Sequence, residues 1–267
     1  MDLPPLAAVL GLVVGLILAL TGAGGGILAV PLLVFGAGMS VAEAGPIGLL
    51  AVGMAAALGA MLGLRDGMVR YRAALLIAAA GMLLSPAGLW AARQADGRWL
   101  GVMFALTLLY VAFRTWRQAA GRRAARGMNK PVCVLGEDTG RFVWTRPCMH
   151  ALGLAGALAG FLSGLLGVGG GFVMVPALQR YTDLTMKSAV ATSLAVIAII
   201  SAAGVATSAA QGGVDWLTAT PFAGGALAGM LGGRSLAARI AGPALQKAFA
   251  AVSAMVALGM VAKALLS

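Results

Sequence analysis

Apolar residues fill the chain in eight long runs with short polar breaks between them, at roughly residues 4–35, 44–64, 72–92, 98–116, 148–179, 188–210, 216–238 and 244–266. About 20 apolar residues carry a helix across a bilayer, and all but two of the runs suit a single crossing. The first and the fifth are too long. Each of these also carries a glycine run followed by a proline: Gly22-Ala23-Gly24-Gly25-Gly26 with Pro31, and Gly167-Val168-Gly169-Gly170-Gly171 with Pro176. A glycine costs a plain helix about 1 kcal/mol relative to alanine, so the runs predict helix breaks. Proline can start a helix but not continue one, which places Pro31 and Pro176 in the turns just past the glycines.

The two broken segments are copies. Residues 11–35 and 156–180, offset by 145, are identical at ten of 25 positions, including all four glycines of each run and the proline. The offset holds further on, where Gly67-Met68-Val69-Arg70-Tyr71 falls on Gly212-Gly213-Val214-Asp215-Trp216. Each half therefore has four hydrophobic segments, the first one broken, and internal repeats are a hallmark of transporter folds. The predicted fold is an all-α polytopic membrane protein built from a membrane repeat at 1–117, a linker at 118–147 and a second membrane repeat at 148–267.

Charge orients the repeats. The 267 residues are 61% hydrophobic and 10% charged, with 19 Lys and Arg, a net charge of +11 and mean hydropathy +0.96. The basic residues lie between apolar runs, as membrane topology requires, so they do not point to nucleic acid. Met1-Asp2 lacks the basic start of a signal peptide, so the first run is expected to stay in the protein. The loop 114–146 holds eight basic residues, which places it in the cytoplasm. If each glycine segment crosses once, 12 of the 19 basic residues face the cytoplasm; if each is a hairpin that returns to its own side, 16 do. The hairpin arrangement fits better. It makes the repeats inverted and puts both termini outside. In the linker, two short β-prone stretches flank Gly136-Glu137-Asp138-Thr139-Gly140 and suggest a small β-hairpin, with a plain solvated connection the more ordinary reading. Cys133 and Cys148, in or beside this basic loop, read as reduced cytosolic thiols.

The candidate chemistry lies at the breaks. A helix restarting at Gly25-Gly26 or Gly170-Gly171 presents unpaired N–H groups and the positive end of its dipole, which favour an anion. Glycine lets the backbone approach that ligand closely. Such irregular backbone at membrane depth must be buried in protein or line a cavity. Close packing through small residues is the competing explanation, and it suits the pairs Gly11 and Gly15, and Gly156 and Gly160. The expected substrate-binding residues are Thr21, Gly24, Gly25, Gly26, Pro31, Gly169, Gly170, Gly171, Pro176, Thr192 and Ser193. Thr192 and Ser193 would donate to an oxyanion without trapping it as a buried lysine would. Most other hydroxyls in the apolar runs, including Ser163, Ser201, Thr207 and Ser208, are expected to bond carbonyls of their own helices. Glu43, Asp66, Asp183 and Asp215 all lie near segment ends, so no intramembrane proton relay stands out. Gly160-Phe161-Leu162-Ser163-Gly164 bears a faint likeness to an intramembrane serine protease. Its only available base is His150, about four helical turns away, so an enzyme is not expected. No metal or cofactor pattern is present.

Two halves that each begin with Gly-x-Gly-Gly-Gly-x-x-x-x-Pro resemble the sulfite exporter TauE/SafE family of membrane permeases. Ala191-Thr192-Ser193, Gly213-Val214-Asp215-Trp216 and Gly224-Gly225-Ala226-Leu227-Ala228-Gly229 add to the likeness. The first half departs from it, having Pro46 near the place of the Thr-Ser pair. The resemblance implies a transporter of sulfur-containing anions such as sulfite, thiosulfate or organosulfonates in a bacterial inner membrane, with the glycine elements near the substrate. The partners expected are that anion and membrane lipid, with a homo-oligomer left open. An anion channel, and a non-transporting subunit that docks a partner through residues 118–147, remain the alternatives.

Overall fold

A computed structural model describes residues 3–22, 25–119, 132–133, 144–240 and 243–266. The described residues form ten helices: α1 (Leu3–Thr21), α2 (Gly25–Gly36), α3 (Val41–Arg65), α4 (Tyr71–Gln94), α5 (Gly97–Ala119), α6 (Arg146–Leu166), α7 (Gly171–Tyr181), α8 (Met186–Ala210), α9 (Trp216–Ile240) and α10 (Pro243–Leu266). The eight apolar runs become these ten because the first and fifth each split at their glycines. Among the described residues, α1, α3, α4, α5, α6 and α8 are long and apolar enough to cross a membrane. Their outward faces stay apolar: Leu83 is 78% exposed, Leu154 65% and Val9 61%. Lipid is the solvent that such a face suits. Trp90, Trp99, Trp116 and Trp216, all exposed near helix ends, mark where the interface would lie.

Local signals set the helix starts in matching places of the two halves. The Ser40 hydroxyl accepts the Glu43 N–H at 3.3 Å, while Glu43 accepts the Ser40 N–H at 2.9 Å, forming a capping box for α3. Thr185, the residue 145 positions on, caps α8 by accepting the Ser188 N–H at 3.3 Å. Asp215 starts α9, accepting the Leu217 N–H at 3.1 Å and the Thr218 hydroxyl at 2.7 Å.

The packing repeats with the same offset. Parallel helices α1 and α9 meet backbone to backbone, where a Cβ on Gly11 would strike the Phe222 carbonyl and one on Gly15 the Ala226 carbonyl. Parallel helices α6 and α4 meet likewise, Gly156 against the Ile77 carbonyl and Gly160 against that of Gly81. Each of these pairs maps onto its counterpart by adding or subtracting 145. The central helices α3 and α8 are repeat equivalents and run antiparallel: Leu49 packs at Gly204, Gly53 at Ser201 and Gly59 at Leu194. Small residues here let helices approach where no hydrophobic force drives them together.

Both broken segments fold back on themselves. Gly25 seats against Leu18 and Gly36 against Leu10, so α2 returns along α1. At the open end of the second hairpin, the Cys133 N–H donates to the Tyr181 carbonyl at 2.9 Å, and Cys133 is disulfide-bonded to Cys148 in the first turn of α6. The start of α6 and the end of α7 are thereby held side by side.

Two expectations are corrected. Pro31 and Pro176 lie inside α2 and α7, not in the turns before them, because the glycines already begin those helices. Each proline removes an N–H that would have bonded the carbonyl four residues back, Ile27 or Phe172. Cys133 and Cys148 are not free thiols: the bond from Cys133 to the end of α7 sets its sulfur over the start of α6, and both residues are fully buried. The suggested β-hairpin falls largely on residues 120–131 and 134–143, outside the described residues.

Titration of the unreduced, denatured protein with a maleimide should find no free thiol, and two after reduction. Two thiols without reductant would contradict the disulfide. Cys148→Ser should lower stability by about 3 kcal/mol, the chain-entropy value for a 15-residue loop, measurable as a fall in Tm in detergent.

Candidate functional site

The two tips meet beside the middle of α3 and α8. At tip 1, Gly22 takes a left-handed φ of 77° and seats against Val190 of α8. The Thr21 hydroxyl donates to the Ile17 carbonyl at 2.7 Å and accepts the Gly25 N–H at 3.2 Å. Thr21 thus acts as a staple across the break and occupies one of the amides freed there. At tip 2, Gly167 seats against Gly45 of α3, the counterpart of the Gly22–Val190 contact. Gly169 and Gly170 are both left-handed, with φ of 74° and 66°, and Gly170 precedes α7 with no side-chain cap. The first bond of α7 runs from the Val173 N–H to the Gly170 carbonyl at 3.1 Å. The N–H groups of Gly171 and Phe172 therefore precede the ladder, at the positive end of the helix.

The tips touch directly. A Cβ on Gly26 would lie 2.8 Å from the Val168 carbonyl oxygen and 3.1 Å from Val52. A Cβ on Gly169 would lie 3.0 Å from Ile197, 3.2 Å from Val52 and 3.2 Å from the Ser201 hydroxyl. Val52 and Ile197, one in each repeat, wall the junction from α3 and α8. A cavity of about 200 Å³ lies on one side of tip 2, between the start of α3 and the ends of α4 and α6. Pro46, Leu49, Gly164 and Gly167 are among its lining, and of the described lining residues Glu43 and Arg93 are charged.

The expected site residues divide. Gly26 and Gly169 stand at the junction; Gly25 and Gly170 seat against Leu18 and Ala159 of their own hairpins, Gly171 starts α7, Thr21 staples tip 1, and Gly24 lies outside the described residues. Pro31 and Pro176 are further along their helices. Thr192 and Ser193 are fully buried but engaged, Thr192 accepting the Arg70 N–H at 3.1 Å and Ser193 donating to the Val190 carbonyl at 2.8 Å. They fasten α8 to the α3–α4 turn and to itself. Ser201, expected to bond within its own helix, instead has a buried hydroxyl with no partner, against Gly53 and Gly169. Its one signal in the sequence is the alanine at the equivalent position, Ala56. Arg70 lies at the opposite end of the molecule from the cavity, with Nε buried and without a partner. The ion pair of Arg234 with Asp66, 2.5 Å apart, is at that same end.

Residues 7–260 match the family model of the sulfite exporter TauE/SafE. The chain is 28% identical over 226 residues to the probable membrane transporter protein YunE of Bacillus subtilis (strain 168), covering 82% of each chain. It is 32% identical over 231 residues to a probable membrane transporter protein of Xylella fastidiosa (strain 9a5c), covering 86% of this chain and 83% of the relative. No solved structure matches. The chain belongs to the sulfite exporter TauE/SafE family and is a multi-pass membrane transporter.

The seating of tip 2 predicts unequal effects of two alanines at left-handed glycines. Gly38 has φ 70° and open space around it, so Gly38→Ala should cost about 1 kcal/mol of backbone strain. Gly167 has the same φ but meets Gly45, so Gly167→Ala adds overpacking and should cost at least about 3 kcal/mol. Equal shifts in Tm would contradict the close fit of tip 2 against α3.

Proposed function

We propose that the protein exports a small sulfur-containing anion, such as sulfite, thiosulfate or an organosulfonate, across a bacterial inner membrane by alternating access around the two glycine tips. The observation that carries this reading is the junction itself. Two broken helices meet backbone to backbone, Gly26 against the Val168 carbonyl, and the second of them restarts with no side-chain cap. Among the described residues, no charged side chain contacts the junction. Inversion of the repeats draws support from the antiparallel run of α3 and α8, and from the hairpin returns of α2 and α7. With the basic end at Arg70, Lys187 and Arg234 in the cytoplasm, the cavity beside tip 2 opens outward.

The energetics favour export. An anion leaving a cell with a negative interior gains about 2.3 kcal/mol per charge per 100 mV, so no buried carboxylate is required for coupling. The closed contact of Gly26 with Val168, with a cavity on one side of tip 2, suits a gated carrier better than an open pore. No catalytic step is proposed: His150 is exposed at the start of α6, thirteen residues and about 20 Å of helix from Ser163.

Purified protein in liposomes should take up labelled sulfite or thiosulfate with saturation, and faster when the same anion is preloaded inside. Flux that stays linear with concentration and shows no counterflow would favour the channel. No flux of sulfite, thiosulfate or short organosulfonates would overturn the substrate assignment.

A further inference from the structure

Ser85, Ser163, Ser201, Ser208 and Ser253 all bury a hydroxyl at 0–1% exposure with no hydrogen-bond partner. Buried hydroxyls without partners are costly, and a serine in a helix can ordinarily bond a carbonyl one turn back. Ser201 lies against tip 2, and Ser85, Ser163 and Ser208 each adjoin a residue next to or within the wall of its cavity, though none of them lines it. The Ser201 Oγ lies 3.2 Å from the Cβ position of Gly169. The Ser85 Oγ lies 3.6 Å from the Cβ position of Gly204, whose other neighbour is Leu49 in the cavity wall. Ser163 precedes Gly164 in the same wall, and its carbonyl accepts the Gly167 N–H at 2.9 Å. Ser208 accepts, through its carbonyl, the N–H of Gly213 at the cavity edge at 2.9 Å. The repeat equivalents of the four are Met230, Leu18, Ala56 and Gly63, none with a hydroxyl.

We infer that Ser201 and Ser85, with the N–H groups that open α7, form an oxyanion subsite at tip 2, and that tip 1 has no counterpart to it. The inference rests on the transport reading and deepens it. The ligand is an anion with several oxygens on one centre, a sulfite or sulfonate group, which accepts from many donors at once. Hydroxyl and amide donors are neutral, so they hold the anion without pairing it to a fixed charge and leave it free to depart. Tip 1, stapled by Thr21 and seated on Val190, then serves as the moving wall, and the symmetric backbone carries an asymmetric chemistry.

The test is thermal unfolding of the detergent-purified protein with increasing sulfite, thiosulfate or ethanesulfonate. At least one of these should raise the Tm of the native protein. Ser201→Ala and Ser85→Ala should raise the half-saturating concentration about ten-fold or more, with Tm in the absence of anion unchanged or higher. Ser201→Cys, which keeps the volume but donates weakly, should show the same loss. Ser253→Ala on α10 removes an equally unpartnered hydroxyl away from tip 2 and should titrate as the native protein does. Undiminished binding in the Ser201 and Ser85 variants would overturn the subsite while leaving transport standing. A native protein stabilised by none of the three anions would overturn the sulfur-anion assignment and the subsite with it.

Discussion

A peptide group inside a bilayer has no water to replace a lost hydrogen bond, so a broken helix survives there only where protein encloses it. The rest of this structure follows from that constraint. The breaks at residues 22–25 and 167–170 are wrapped by α3 and α8 at the centre. The helices that lead into them, α1 and α6, lie against α9 and α4 at backbone contact. Contact that close leaves no room for a Cβ at these positions, which is why Gly11, Gly15, Gly156 and Gly160 recur at the same offset as the tips themselves. The glycines that pack and the glycines that turn are separate sets with one purpose: the first set brings the second into shelter.

Much of this was legible in the sequence, because packing and breaking both use glycine and a repeat doubles the signal. The eight apolar runs, the offset of 145 and the two fold-back segments all appear in the structure where the pattern placed them. What the pattern missed depended on partners rather than on residue types. Pro31 and Pro176 were expected in turns, yet the helix starts are set by the left-handed glycines and caps around them. Cys133 and Cys148 carry no spacing signal, and the charge rule that places their loop speaks of compartment, not of distance. Ser193 looks like a free donor until its proton is seen to go to the Val190 carbonyl, and Thr192 turns out to accept the Arg70 amide. Ser201 looks ordinary until its lack of a partner is seen.

Symmetry and chemistry therefore separate in this fold. Backbone conformation repeats at left-handed Gly22 and Gly167 and at Gly67 and Gly212, and departs at the second tip, where Gly170 is left-handed and its counterpart Gly25 already begins a helix. The side chains around the tips do not repeat. Arg70 has Asp215 as its counterpart, Thr192 has Ile47, and Ser201 has Ala56. In the proposed alternating access, a symmetric frame would let the two halves exchange positions about a common centre, and unequal side chains would let the two faces treat the substrate differently; the basic end stands opposite a cavity that is mostly apolar.

The central claim is that the two hairpins enter from opposite faces of the membrane and meet within it. Single cysteines in place of Met39 and Lys187, just beyond the return of each hairpin, test it in intact cells with a membrane-impermeant maleimide, using the native protein as blank. The account predicts that Met39→Cys is labelled from outside and Lys187→Cys only after the cells are opened. Labelling of both from the same side would contradict it.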